Sequence, residues 1–351
     1  MKPGILLALI AAVLFGAGTP FAKLLLGHTA PVLLAGLLYA GSGVGLTAWL
    51  AFRHWRSRGK FQAAQRWTRT EMLWLTAATL IGGAAGPALL MAGLVVTPAS
   101  TASLLLNMEG VFTVLLAWFV FRENFDRHIL VGMICIVVAS GLLAWPERMA
   151  TEIPWGIFAV VGACLCWALD NNLTRKVSAH DPVVIAALKG LVAGGVNIPI
   201  AMYLFGARWP AWSAIVGTGF LGLISYGLSL VLFVLALRNL GTARTSAYFS
   251  TAPFIGAIIA LLLFRQNPSL MFWPAAVLMG VGVWLHLREK HEHLHVHECM
   301  RHTHSHVHDE HHQHRHDFDW DGKEPHTHEH EHKPLVHSHP HYPDIHHRHA
   351  H

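Results

Sequence analysis

The sequence predicts an all-α polytopic membrane protein, with ten transmembrane helices arranged as two inverted five-helix repeats and a polar tail. Its composition is strongly apolar, because 53% of the residues are hydrophobic and only 13% are charged, whereas a soluble domain carries about 25% charged residues. Apolar runs of about 20 residues, the length that crosses a bilayer, recur along the chain. A four-residue sequence that begins at residue 121 is repeated in similar form from residue 264.

Ten apolar runs give the predicted spans, and each half of the helical region contributes five. The first repeat covers 1–148, the second covers 149–290, and the tail covers 291–351. The predicted spans are 4–26, 31–52, 72–95, 99–121, 128–146, 153–175, 182–205, 211–237, 242–264 and 270–287.

The two halves share a duplicated pattern. Phe121-Arg-Glu-Asn124 ends one apolar run and Phe264-Arg-Gln-Asn267 ends another, 143 positions later. Under the same shift Ser103 falls on Ser246. Because each unit has an odd number of spans, the second unit is predicted to be inserted upside down relative to the first. Two fused copies of one membrane unit are the usual plan of a secondary transporter.

Lysine and arginine are unevenly distributed over the predicted loops. Fifteen of them fall in one set of loops, six of these between Arg53 and Arg69, and only Arg148, Arg208 and Arg265 fall in the other set. Cytoplasmic loops carry the excess of positive charge, so both termini are predicted to be cytoplasmic and the protein to lie in the cell (inner) membrane. The basic residues form no recognition motif, so no nucleic-acid partner is predicted.

Few ionisable residues lie inside the predicted spans, and such residues usually face a cavity or a partner. Glu109 lies in mid-span; it is either a proton- or substrate-binding carboxyl or a hydrogen-bonded packing group. Asp170 and Lys189 lie at similar depth on consecutive antiparallel helices, which predicts a salt bridge. The alternative is that Lys189 extends alone to the cytoplasmic surface. Lys23 is predicted to reach the outer surface in that way.

Weak or polar helix at corresponding positions of two repeats points to a transport pathway. A shift of 152 aligns Gly18-Thr19-Pro20 with Asp170-Asn171-Asn172, and helix breaks are predicted at both places. Kinks absorbed by packing are the alternative. The predicted pathway residues are Glu109, Asp170, Lys189, Asn171, Asn172, Asn107, Thr19 and Pro20.

The tail is rich in histidine, because residues 291–351 hold 23 of the 28 histidines, mostly as His-x-His. Apolar residues are too sparse for a core, so the tail is predicted to be disordered. Imidazole suits zinc, nickel, cobalt and copper, and the tail is predicted to bind several such ions with low affinity. A solvated, pH-sensitive tail without metal is the alternative. The predicted tail ligands are His291, His293, His295, His297, His302, His304, His306, His308, His326, His328, His330 and His332.

The sequence resembles the EamA-type transporters of the drug/metabolite transporter (DMT) superfamily over about residues 4–288. The resemblance rests on the ten spans, the duplication, and the stretch Leu104-Leu-Leu-Asn-Met-Glu109-Gly-Val-Phe112 that leads to the turn Phe121-Arg122-Glu123. It implies movement of a small solute, often the export of metabolites, amino acids or toxic compounds. It also implies that Glu109 and the cytoplasmic turn with Arg122 and Glu123 occupy family positions of the first repeat.

The second repeat departs from the family pattern, because Ala252 and Gln266 replace the two acidic residues. The sequence predicts a secondary transporter, driven by an ion gradient (with protons as the candidate ion) or by the solute gradient, that exports a small organic metabolite or toxic compound. The chain has no P-loop motif, and neither an enzymatic activity nor a required cofactor is predicted. The alternatives are a divalent metal cation exporter for zinc, nickel or cobalt assisted by the tail, and a membrane metal sensor or buffer that does not transport.

Overall fold

The structure of the protein is a computed structural model. It describes residues 3–56, 67–121, 127–144, 155–174, 177, 180–240, 245, 248–265, 267–288, 292–297, 300–306, 326–332 and 335–340. The chain forms two compact units, Met1–Glu289 and Lys290–His351; the first is called the helical unit below and the second the tail unit.

The helical unit is built from α-helices throughout its described residues. These helices are α1 (Pro3–Leu25), α2 (Pro31–Arg56), α3 (Arg69–Ala78), α4 (Gly86–Val96), α5 (Ala99–Leu105), α6 (Met108–Phe121), α7 (Arg127–Ala144), α8 (Trp155–Thr174), α9 (Pro182–Tyr203), α10 (Trp212–Gly222), α11 (Ser229–Leu240), α12 (Ala252–Phe264) and α13 (Phe272–Arg288).

Seven helical stretches of the described chain are long and apolar enough to cross a membrane: Gly4–Leu25, Pro31–Arg56, Arg69–Val96, Ala99–Leu116, Trp155–Thr174, Pro182–Tyr203 and Trp212–Ala236. Shorter apolar helices lie in the fifth, ninth and tenth predicted spans, at Leu130–Ala144, Ala252–Phe264 and Phe272–Leu285. The chain is therefore an all-helical membrane protein over this unit. The count of ten spans and the inversion of the second repeat stay predictions.

Two of the long helices contain a π-helical segment. Thr79–Ala85 joins α3 to α4, and Leu223–Leu228 joins α10 to α11. Each segment lies in the third predicted span of its half of the chain. In both segments the regular α-helical hydrogen bonding is interrupted. Such π-helical segments are rare and frequently occur at functional sites.

Two other predicted spans are interrupted by a turn. The fourth is broken at Leu106–Asn107, between α5 and α6, and the ninth at Ser250–Thr251, immediately before α12. Backbone donors at both turns bond three residues back rather than four. Asn107 and Ser250 are 143 positions apart, which is the shift that aligns the two repeated blocks. The two halves therefore carry a break at the same place.

The helix breaks predicted at Gly18–Pro20 and at Asp170–Asn172 are wrong. Helix α1 continues through Pro20 and helix α8 continues to Thr174. A proline inside a helix removes one backbone hydrogen bond and crowds the carbonyl four residues earlier, but membrane helices tolerate it because neighbouring groups satisfy the freed carbonyl. The weak helix formers near Pro20 serve packing instead, because a Cβ atom on Gly16 would overlap the backbone of α12 at Ala252.

Helices α2 and α9 approach each other closely through small residues. A Cβ atom on Gly190 would lie only 2.7 Å from the Cα atom of Gly43, and one on Gly194 would lie 2.8 Å from the Cβ atom of Ala40. Small residues are the usual means by which membrane helices pack tightly. This contact holds Lys189, which precedes Gly190, inside the helical unit.

The largest buried apolar cluster contains residues of α1, α2, α4 to α8, α12 and α13. Because these helices come from both halves of the chain, the two halves share one core. The polar groups described below lie within this shared packing and are positioned by helices of both halves.

The tail unit contains four strands, β1 (Glu292–His297), β2 (Met300–His306), β3 (His326–His332) and β4 (Leu335–Pro340). Strand β1 pairs antiparallel with β4, and β2 pairs antiparallel with β3. The prediction of disorder is therefore wrong for these four segments. It rested on the lack of a core, whereas the His-x-His alternation has the period of two that is typical of a strand.

Candidate functional site

Asp170 and Lys189 form a buried salt bridge between α8 and α9. Lys189 Nζ lies 2.6 Å from both carboxylate oxygens of Asp170, and the two residues are 7% and 8% exposed. Thr174 donates its hydroxyl to Asp170 Oδ1 at 2.8 Å and accepts from Lys189 Nζ at 3.2 Å. The predicted pairing is confirmed, and each charge has the polar partners that offset its desolvation.

Glu109 lies directly after the break in the fourth predicted span, in the first turn of α6. Its Oε1 accepts a hydrogen bond from Asn171 Nδ2 at 2.7 Å. Glu109 is half-buried and Asn171 is exposed. Ionisable groups within membrane helices usually face a cavity or a partner, and Asn171 is the partner of Glu109 here.

Helix α8 carries one member of each polar pair. Asp170 and Asn171 are consecutive, so they point about 100° apart around the helix axis. Asp170 faces Lys189 on α9, whereas Asn171 faces Glu109 on α6. The salt bridge fixes α8 against α9, and the Glu109–Asn171 pair is left accessible.

The π-helical segment Thr79–Ala85 packs against the same part of α8. The carbonyl of Gly82 accepts hydrogen bonds from Trp167 Nε1 at 2.9 Å and from the Tyr39 hydroxyl at 3.4 Å. Gly82 also lies directly against the carboxyl group of Asp170. The π-helical segment thus brings a backbone carbonyl of the first half of the chain to the polar groups of α8.

Gly82→Ala should disturb the salt bridge, because the added Cβ atom would overlap the carboxyl group of Asp170. We expect a loss of stability of about 1–3 kcal/mol, the usual cost of overpacking, measured as a lower melting temperature in detergent. Gly195→Ala is the matched control, since nothing lies within 4 Å of its added Cβ atom. Equal melting temperatures for the two variants would contradict the close contact of Gly82 with Asp170.

Five aromatic side chains form a cluster next to these polar groups. The ring centroid of Phe15 lies 6.3 Å from that of Trp167, 6.0 Å from that of Tyr226 and 5.3 Å from that of Phe249. The rings of Tyr39 and Tyr226 are 5.3 Å apart. Trp167 is buried and the other four are half-buried. Sequence reasoning missed this aromatic cluster, because its members come from five distant segments and share no local spacing.

A second group of contacts joins the end of α2, the beginning of α3 and the beginning of α9. Arg53 Nη2 donates to Asp181 Oδ2 at 2.7 Å, and His180 Nε2 lies 3.2 Å from Glu71 Oε1. The imidazole of His180 is stacked on the indole of Trp67, with ring centroids 3.7 Å apart and planes 7° apart. These five residues, called the end cluster below, tie helices of the first half to α9 of the second.

A model of the EamA-like transporter family matches residues 2–145 and 154–288 of the chain. The chain belongs to the EamA-like transporter family. This places it in the drug/metabolite transporter superfamily, and the protein is a membrane transporter.

Two relatives of this EamA-like transporter carry related descriptions. It is 27% identical over 296 residues to a protein of Methanothermobacter thermautotrophicus described as an uncharacterized transporter, covering 80% of this chain and 85% of the relative. It is 28% identical over 210 residues to a protein of Salmonella typhimurium described as a probable amino-acid metabolite efflux pump, covering 56% of this chain and 61% of that relative.

A solved crystal structure shares the fold of this EamA-like transporter. The superposition has a TM-score of 0.60 at 18% sequence identity, and it covers 82% of this chain and 99% of the other. At this level of identity the likeness concerns the fold alone.

The prediction that Lys23 of the EamA-like transporter reaches the outer surface stays a prediction, and the structure shows its contacts at the end of the third predicted span. Its ammonium group donates to the carbonyl of Leu94 and, at 3.1 Å each, to the carbonyls of Val95 and Thr97. These carbonyls lie at the C-terminus of α4, where backbone acceptors lack helical partners and the helix dipole favours a cation. Lys23 therefore caps a neighbouring helix.

The remaining predicted pathway residues of the EamA-like transporter are placed apart from the two polar pairs. The side-chain amides of Asn107 and Asn172 each donate to a backbone carbonyl one turn earlier, at 3.0 Å and 2.8 Å. Thr19 and Pro20 are buried in α1. Asn107 thus belongs to the helix break before Glu109, while Asn172 stabilises α8.

Some predicted residues of the EamA-like transporter lie outside the described residues. These are Arg122 and Glu123 of the family-motif turn, and His291 and His308 of the tail. The other predicted tail ligands lie on the strands: His293, His295, His297, His302, His304, His306, His326, His328, His330 and His332.

Proposed function

We propose that this protein is a secondary transporter that exports a small organic metabolite or toxic compound across the inner membrane. The observation that carries the proposal is the Glu109–Asn171 pair, which lies directly after a helix break and remains partly accessible. Solute and ion sites of secondary transporters are typically formed by discontinuous helices at the interface of two repeats. The second break at Ser250 supports this location.

The groups around Glu109 favour a solute with an amino group and an apolar portion. A carboxylate with an adjacent amide suits a cationic group through charge-assisted hydrogen bonds. The half-buried rings of the aromatic cluster suit an apolar portion, and their faces also attract cations. The relative described as a probable amino-acid metabolite efflux pump supports this solute class.

We propose an ion gradient, or the gradient of the solute itself, as the driving force. The carboxyl of Glu109 is the group that would take up a proton if protons are the coupling ion. Enzymatic activity and cofactors form no part of this proposal. The metal exporter and the metal sensor have less support, because no three His, Cys, Asp or Glu residues of the described helical unit are grouped to hold a metal ion.

We propose that both termini face the cytoplasm, on the basis of the loop charges. Reporter fusions at Gly59 and after Lys290 should then read cytoplasmic, and a fusion near Met149 should read external. An external reading after Lys290 would exclude an even number of spans and with it the inverted repeat.

An efflux screen tests the proposed function. Cells with the protein should release labelled amino acids or amines faster, and resist their toxic analogues better, than cells without it. Export should persist after truncation at Lys290 and weaken when the proton gradient is collapsed. A change in zinc, nickel or cobalt tolerance without organic efflux would favour the metal exporter, and no transport of either kind would favour the sensor.

A further inference from the structure

Strand pairing in the tail unit gathers histidines that are far apart in the sequence. In the β2–β3 pair, histidine lies opposite histidine on three alternate rungs. These rungs are His302 with His330, His304 with His328, and His306 with His326. In the β1–β4 pair two further rungs have the same composition, His293 with His339 and His295 with His337.

The three rungs of the β2–β3 pair share one face. Alternate residues of a strand lie on the same face of a sheet, and directly opposite residues of an antiparallel pair do so as well. The rungs between them pair Thr303 with Glu329 and Ser305 with Thr327, so the other face carries no histidine at these positions. The six histidines of the three rungs are called the histidine ladder below.

The spacing of the ladder favours ligands from both strands. Directly opposite residues have Cβ atoms about 4.5–5.5 Å apart, whereas residues two apart on one strand are separated by about 6.6 Å. The closest histidine neighbours therefore belong to different strands. Two neighbouring rungs of the ladder, which are two residues apart along each strand, supply four imidazoles, the number of ligands in a tetrahedral zinc site.

We propose that the histidine ladder binds a divalent transition metal ion of the zinc and nickel class through imidazoles of both strands. Imidazole is a good ligand for these ions. The ion joins β2 to β3 across the intervening segment 307–325. A two-stranded ribbon is only marginally stable in water, so metal binding and pairing of the two strands stabilise each other.

Metal titration of the full-length protein in detergent tests this proposal, with zinc chloride as the probe and calorimetry at fixed pH as the measurement. Threonine replaces histidine, because it keeps a high strand propensity and removes the imidazole. The β2 variant carries His302→Thr, His304→Thr and His306→Thr. The β3 variant carries His326→Thr, His328→Thr and His330→Thr. A combined variant carries all six, and a control carries His311→Thr, His312→Thr and His314→Thr in the intervening segment.

If each zinc ion is bound by histidines of both strands, the numbers of zinc sites lost in the β2 and β3 variants do not add up in the combined variant. The β2 variant and the β3 variant should each lose as many zinc sites as the combined variant, because either strand alone leaves the rungs incomplete. The control, which removes the same number of histidines, should lose none of these sites. The two rungs of the β1–β4 pair remain in every variant and give the same background.

Two outcomes would overturn the proposal. If the β2 and β3 variants each lose about half of what the combined variant loses, each strand binds metal by itself. If the control loses as many sites as the β2 variant, binding depends on histidine number and not on the ladder. The β2 and β3 variants make the same prediction, so either one decides if the other fails to fold. Zinc binding is measured without transport, so the result is independent of the proposed function.

Discussion

Lys189→Met should destabilise the helical unit by about 3–5 kcal/mol, because it leaves the carboxylate of Asp170 buried without its counter-charge. The measurement is the yield of monodisperse protein and its melting temperature in detergent. Lys23→Met is the matched control, since Lys23 is half-buried and binds backbone carbonyls. Loss of that capping contact should cost only about 0.3–1 kcal/mol.

Adding Asp170→Asn to Lys189→Met should restore part of the lost stability. Removal of both charges leaves no buried ion, and a neutral amide is much easier to bury than a carboxylate. Thr174 can still bond to the amide at this position. The single variant Asp170→Asn completes the comparison. If the stability losses of Lys189→Met and Asp170→Asn simply add in the double variant, Asp170 and Lys189 do not interact in the folded protein.

Glu109→Gln should preserve folding and reduce gradient-driven efflux by about 10-fold to 100-fold. The glutamine oxygen can still accept the hydrogen bond from Asn171, so the packing is kept and only ionisation is removed. The contact that is lost is the hydrogen bond between the solute and the charged carboxylate of Glu109. A hydrogen bond to a charged group contributes about 1.5–3 kcal/mol, which corresponds to that range of rates. The measurement is efflux of the best solute from the screen, in cells with equal amounts of each protein.

Glu109→Asp is the control for charge at this position. It keeps the ionisable group but shortens the side chain, so it should retain the dependence of efflux on the proton gradient at a reduced rate. Efflux by Glu109→Gln that matches the original protein at every pH would show that Glu109 is a packing group, and the proposed site would then be wrong.

The salt bridge was predictable from the sequence because helix geometry determines depth. With a short connection between two antiparallel helices and a fixed rise per residue, Asp170 and Lys189 must lie at similar depth. The high cost of a lone charge in the membrane then makes pairing the favoured arrangement. The same reasoning identified Glu109 as an unusual group, although it could not identify Asn171 as its partner among several polar residues nearby.

The helix breaks at Asn107 and Ser250 were not predictable in the same way. Asn107 lies inside a long apolar run, which gives no local reason to end a helix. Near Ser250 the proline at position 253 is a local signal for a helix start, because proline is favoured in the first turn of a helix, but it stands within an apolar run as long as one span. The sequence showed glycine and proline near Pro20 instead, and these residues serve close packing. The aromatic cluster was also hidden, because Phe15 and Phe249 meet only after both halves of the chain have packed together.

The strand pairing in the tail could not be predicted from the sequence, for a different reason. The tail has little apolar surface to bury, and a segment of this kind is predicted to be disordered. The alternation of histidine with other residues between His302 and His306 was visible, but alternation alone does not identify the partner strand. Which segments pair, and in what register, depends on residues that are far apart in the sequence.

The end cluster joins helices of both halves of the transporter through partly exposed contacts of modest strength. Arg53 and Asp181 are each 34% exposed, and exposed ion pairs contribute only about 0–1 kcal/mol. The stacked pair of His180 and Trp67 adds about 0.5–1.5 kcal/mol. These two contacts alone therefore cost no more than about 3 kcal/mol to separate. A solute or ion that converts a minor form of the transporter from about 1% to about 99% must bind that form about 10⁴-fold more tightly.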